Sequence, residues 1–185
     1  MAKKTPDAEA RAREPLDLVP GEIAECVKRV KAKEVVELVD TIASAKRVFA
    51  TGCGRSGLVA RAFAMRLMHL GIEAHVIGET ATPSCGEGDL LVAISGSGEK
   101  PTTLLRATEA LSFGARLASI TGNESSVMWN LSGTKLVIPR LHSEQFGGSL
   151  FEQSTLVVLD AVVMLLREKL HVDYDDMRSR HASLE

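Results

Sequence analysis

The chain has no paired cysteine motif. Its three cysteines, Cys26, Cys53 and Cys85, are odd in number and far apart, without the CxxC spacing of a structural zinc site. They read as reduced thiols in a cytoplasmic protein. Nor is there an excess of charge. Lys and Arg number 22 against 24 Asp and Glu, and a formal charge of -2 gives no field to gather nucleic acid or an anionic membrane. An anionic ligand must therefore be held by local geometry. No apolar leader opens the sequence: residues 1–15 are polar and mixed in charge, and read as a flexible N-terminal tail. No apolar run is long enough for a membrane span. The longest, residues 156–166, is interrupted by Asp160 and reads as a core helix, with the aspartate paired or at an interface. Internal repeats and low-complexity linkers are also missing.

What is present is a patterned core. At 45% hydrophobic content the 185 residues suffice for one continuous core, and residues 16–185 read as a single domain. Between residues 21 and 45, Val27, Val30, Val35, Leu38, Val39 and Ile42 recur at helical spacing, which predicts an amphipathic helix or helix pair. Short apolar runs follow at 47–51, 74–77, 89–94 and 115–120, and a fifth at 135–138 stops at Pro139. Several are apolar nearly throughout, as in Leu90-Leu91-Val92-Ala93-Ile94, which suits strands covered on both faces of a parallel sheet. Helical patterns fill the gaps, one closing at Gly71 and another at Gly114. The alternation predicts an α/β fold: a three-layer doubly wound sandwich on a five-stranded parallel sheet, flavodoxin-like, with right-handed crossovers.

Open parallel sheets bind ligands beyond the carboxyl ends of their strands. After the third run comes Ser95-Gly96-Ser97-Gly98-Glu99-Lys100-Pro101-Thr102, entering a helix near Thr102 or Thr103. Glycines let the backbone approach an anion, while N–H groups, hydroxyls and the helix dipole favour phosphate oxygens. Ser95, Gly96, Ser97 and Thr102 are the candidate phosphate ligands, against the plainer reading of a turn with Thr102 or Thr103 as N-cap. After the first run, Gly52-x-Gly54-x-x-Gly57 matches a dinucleotide fingerprint in spacing, with Glu79 near the place of a ribose-binding acid. A dinucleotide domain does not need the second loop at Ser95, so a phosphorylated small molecule is the better expectation.

Together, Gly52-Cys53-Gly54-Arg55-Ser56-Gly57 and Ser95-Gly96-Ser97-Gly98, each after a strand, resemble the sugar isomerase (SIS) domain family. Residues 52–71, 78–83 and 86–94, with Gln145-Phe146-Gly147-Gly148-Ser149-Leu150-Phe151-Glu152-Gln153, look most like the 6-phospho-3-hexuloisomerases within it. The resemblance covers nearly everything after the tail. Cys85 and Lys100 depart from it, standing where small or hydroxylated residues are expected. It implies interconversion of D-arabino-hex-3-ulose 6-phosphate and D-fructose 6-phosphate through a cis-enediol, with no metal and no cofactor. It also implies a homo-oligomer, a tetramer, with sites near subunit contacts.

Moving a carbonyl between C3 and C2 needs a base, and the resemblance assigns that role to Glu152, at the start of a helix over 150–170. Spacing alone reads Ser149-x-x-Glu152 as a capping box. The resemblance further implies that His69, on the first crossover helix, reaches a neighbouring subunit's site; by itself a helix-end histidine is a surface or interface residue. Gly54, Arg55 and Ser56 on the first loop, and Glu79, Thr82 and Glu87 after the second strand, are candidate contacts of the sugar or its phosphate. Two alternatives stay open. One is another SIS aldose-ketose isomerase, acting on arabinose 5-phosphate or a heptose phosphate; the other is a sugar-phosphate sensor that binds without turnover.

Overall fold

The computed structural model describes residues 8–183. In chain order its elements are helices α1 (Ala8–Lys28) and α2 (Ala32–Ala43), strand β1 (Val48–Gly52), helix α3 (Arg55–His69), and strands β2 (Ala74–Val76) and β3 (Leu90–Ile94). Helix α4 (Pro101–Ser112), β4 (Arg116–Thr121), α5 (Val127–Leu131), β5 (Thr134–Val137), α6 (Ser149–Lys169) and α7 (Tyr174–Ser179) complete it. The strands form one all-parallel sheet in the order β2-β1-β3-β4-β5, with Ala50 beside Val92 and Val92 beside Ala118.

Side chains alternate across each strand. In β3, Leu90, Val92 and Ile94 join the apolar cluster under α1, α2, α3 and α6, while Leu91 and Ala93 join the one under α4 and α5. Both faces are covered, which is why β3 is an unbroken apolar run. The five strands and the two crossover helices lie where the apolar runs placed them. The pattern over residues 21–45 is a helix pair, broken between Lys28 and Ala32.

The expected tail is helical from Ala8 onward; residues 1–7 lie outside the described residues. Ala8, Glu9, Ala10, Arg11, Ala12, Arg13 and Glu14 are strong helix formers, and Arg13 pairs with Asp17 one turn later at 2.9 Å. Helices α5 and α7, each under seven residues, had not been anticipated. A capping box between Asp173 and Asp176 opens α7. By length and composition α6 could cross a bilayer. Its residues Leu150, Val158, Leu159, Val162 and Leu166 instead pack into the core against α1, α2 and α3. Asp160 lies on the exposed outer stripe of α6.

The chain leaves β1 for α3 on one face of the sheet and β3 for α4 on the other. The connections diverge between these neighbouring strands, so their carboxyl ends flank an open crevice.

Candidate active site

The turn from β1 into α3 is tight: a Cβ on Gly52 would stand 2.7 Å from the backbone carbon of Ser56. Glycine there lets α3 start at once, setting Arg55 and the buried Ser56 in its first turn. The β3–α4 loop is equally constrained. Gly98 has φ +67°, and a Cβ on it would fall 2.1 Å from Ser126 Oγ. Ser95 Oγ accepts from Gly98 N at 3.2 Å, and Ser97 Oγ accepts from Glu99 N at 3.2 Å. A hydroxyl that accepts a backbone N–H keeps its own proton for a ligand.

The loop's carbonyls are occupied on its far side. Gly122 N donates to Gly96 O at 3.1 Å, Asn123 Nδ2 to Ser97 O at 3.2 Å, and Met128 N to Gly98 O at 3.3 Å. Glu99 is turned away as well, accepting from Val127 N at 2.8 Å at the start of α5. With its acceptors drawn off, the loop is suited to an anion.

This loop, the β1–α3 turn and the β5–α6 segment enclose a pocket of about 420 Å³, within the usual range for small-molecule sites. Ser56, Ser95, Gly96, Ser97 and Glu152 line it. The helix that carries Glu152 is capped by Gly148. Ser149 is its first helical residue and donates its hydroxyl to Phe146 O at 2.9 Å. The capping box is therefore not formed, and the largely buried Glu152 carboxylate pairs with the Arg55 guanidinium.

Other sequence candidates fall elsewhere. Thr102 is exposed at the second position of α4 and does not line the pocket; Pro101 takes the first position, with Lys100 as N-cap. The neighbouring Thr103 is buried, 3.4 Å from Cys53 Sγ. Gly54 lines an adjoining cavity of about 240 Å³ together with Arg61, which pairs with Glu79. Thr82 donates its hydroxyl to Val76 O at 2.6 Å, and Glu87 is exposed. His69 is buried at the far end of α3, stacked on His181 with ring centroids 5.1 Å apart. At 1.5 Å per residue, that is roughly 20 Å along the helix from Arg55.

Sequence reasoning missed Cys53, Lys100, Arg140 and Ser143, all of which line the pocket. Searching after the fifth strand as well as the first three would have reached Arg140 and Ser143. Lys100 and Arg140 have no ion-pair partner among the described residues, so two unneutralised cations border the site. A second cavity, about 430 Å³, is largely apolar and lined by Ile77, Cys85, Ala110 and Phe113. Burial, with a smaller push from Asp89, raises the Cys85 thiol to about 11, so it stays protonated and unreactive at neutral pH.

The SIS domain profile matches residues 41–165, more than half of the chain. The chain belongs to the SIS domain family. A 3-hexulose-6-phosphate isomerase from Mycobacterium gastri is 40% identical over 178 residues, covering 92% of this SIS chain and 89% of the relative. Another, from Bacillus subtilis strain 168, is 39% identical over 165 residues, covering 84% and 89%. Among solved structures, a hypothetical protein from Methanococcus jannaschii, whose structure infers a molecular function of 3-hexulose-6-phosphate isomerase, superposes with a TM-score of 0.84. It is 32% identical, and the match covers 93% of this chain and 99% of that one. All five strands of the SIS sheet lie inside the matched segment, whereas α1 precedes it.

Proposed function

We propose that this SIS domain, residues 16–185, interconverts 3-hexulose 6-phosphate and fructose 6-phosphate. The observation that carries the reading is the Glu152 carboxylate, held by Arg55 in the pocket lined by Ser95, Gly96 and Ser97. Relatives named 3-hexulose-6-phosphate isomerase, matching over most of the chain, support it.

The phosphate docks on the hydroxyls and backbone N–H groups of the β3–α4 loop, with Lys100 at its rim. Glu152 takes the proton from C2; the C–H electron pair becomes the C2=C3 bond, and the C3 carbonyl oxygen takes up a proton, giving the cis-enediol. C3 then regains a proton from Glu152 while O2 loses one, leaving the ketone at C2. Atoms and electrons balance without a redox partner. Arg55 fixes the direction of the carboxylate, since a small misplacement of a reacting group is costly.

Leu58, Met65 and Met68 on α3, with Leu156 and Met164 on α6, leave an apolar outer surface. Such a surface supports a homo-oligomer, and we read it as a tetramer; His69, buried against His181 in its own chain, is not placed to serve a neighbouring copy's site. Three free thiols and a phosphorylated substrate fit a cytoplasmic setting.

The test is a coupled assay with 3-hexulose 6-phosphate run beside arabinose 5-phosphate. Turnover of the hexulose, at least a hundredfold faster, is expected, and Glu152→Gln should lower kcat by a factor of about 10² to 10⁴. Preference for the pentose would transfer the site to the other isomerase class. Saturable binding without turnover would make the domain a sensor.

A further inference from the structure

One wall of the pocket is held by a helix that the SIS match does not include. On α1, Glu22 and Cys26 are four residues apart and share a face. Cys26 is fully buried, and its Sγ donates to Pro139 O at 3.4 Å. Glu22 Oε2 accepts from Ser143 Oγ at 2.7 Å and from Gln145 Nε2 at 2.8 Å, and its Oε1 accepts from Glu144 N at 2.9 Å. One helix face thus grips the segment at both ends, across more than a hundred residues of chain. Pro139, Arg140 and Ser143 of that segment line the pocket. From α2, Glu34 Oε2 adds a hold just upstream, accepting from Val137 N at 2.8 Å.

Glu22 accepts three donors on two oxygens, an arrangement a carboxylate can satisfy and a neutral amide cannot, because one of its two sites becomes a donor. The same bonds, that of Gln145 first, then Ser143 and Glu144, hold the Glu22 carboxyl below the usual carboxylate range. Beyond Gln145 the chain has little else to hold it before α6. Phe146 is 96% exposed, and Gly147 and Gly148 are exposed too.

We propose that Glu22 is a positioning residue for the substrate site: its three hydrogen bonds fix Ser143 on the pocket wall and set the path into the helix that carries Glu152. The kinetic part rests on the isomerase reading; the structural part rests on the pocket alone. The core contacts of α1 run through Cys26 and the half-buried Ile23 and Val27, so loss of Glu22 leaves the helix docked.

The experiment compares Glu22→Ala, Glu22→Gln and Ser143→Ala in the full chain, each first shown to be folded at the assay temperature. Glu22→Ala should raise KM for 3-hexulose 6-phosphate about tenfold with at most a threefold fall in kcat, and Glu22→Gln, which keeps one acceptor, should fall between it and the parent. In the Ser143→Ala background, Glu22→Ala should add clearly less than its tenfold effect on the parent, because the bond to Ser143 is already gone and only those to Glu144 and Gln145 remain to be broken. A folded Glu22→Ala chain with parental KM and kcat overturns the proposal, as does full additivity with Ser143→Ala. If the parent chain shows no turnover, the isomerase reading fails by itself. The dissociation constant of fructose 6-phosphate and amide hydrogen exchange over residues 141–152 then decide. Weaker binding with faster exchange confined to that segment supports the role, and unchanged exchange refutes it.

Discussion

The two walls of the pocket are built in opposite ways. The β3–α4 wall, residues 95–100, is held by its neighbours in the sheet, since Gly122, Asn123 and Met128 after β4 take up its carbonyls. The β5–α6 wall, residues 139–152, is held across the molecule, by Cys26 and Glu22 on α1 and by Arg55 on α3. The first wall presents donors suited to a phosphate; the second carries Glu152, the carboxylate proposed to move the proton. The proposed anion site is thus written in a contiguous motif, and the proposed base depends on partners far off in sequence.

That division can be broken by mutation. The largest effect is expected from Arg55→Ala, which frees Glu152: kcat should fall about a hundredfold with KM changed less than about threefold, by steady-state kinetics. A matching rise in KM would show that the walls do not separate binding from chemistry. Next comes Gly98→Ala, where positive φ and the overlap with Ser126 combine. It should cost about 1–3 kcal/mol of stability in urea unfolding and weaken fructose 6-phosphate binding by calorimetry.

A smaller effect is expected from Lys100→Thr. KM should rise about fivefold, kcat should hold, and the salt dependence of KM should flatten, as for a charge at the rim of a site. The smallest effect on catalysis lies at the opposite end of β3. There Arg47 grips the buried Asp89 at 2.7 and 3.0 Å and holds its carboxyl below the usual aspartate range. A lowered folded-state pKa gives stability that is present above the ordinary aspartate value, about 4, and is lost as pH falls through the lower one. Asp89→Asn should remove that acid-side slope from a plot of Tm against pH while leaving KM unchanged.

The fold was legible because its strands are buried on both faces, so Leu90-Leu91-Val92-Ala93-Ile94 needs no partner to declare itself. The short α5 and the polar start of α1 were not, since apolar periodicity is silent where little is buried. The place of the β3–α4 loop was legible for the same local reason. Ser95, Gly96 and Ser97 line the pocket, whereas Thr102 falls outside it because Pro101 starts α4 one residue sooner. The reading of Glu152 as a helix cap shows the limit of spacing: Ser149-x-x-Glu152 fits a cap, but Gly148 takes that place and the carboxylate turns to Arg55. No spacing rule reveals Glu22, whose partners lie more than 120 residues away.

The most direct test of the central claim follows a carbon-bound hydrogen. Fructose 6-phosphate incubated with the protein in D₂O and followed by proton NMR should lose its C3 hydrogen signal, as Glu152 takes that proton and exchanges it with solvent. The Glu152→Gln chain should bind the same sugar and leave the signal intact. Loss of the signal at the parental rate in a folded Glu152→Gln chain would contradict Glu152 as the base.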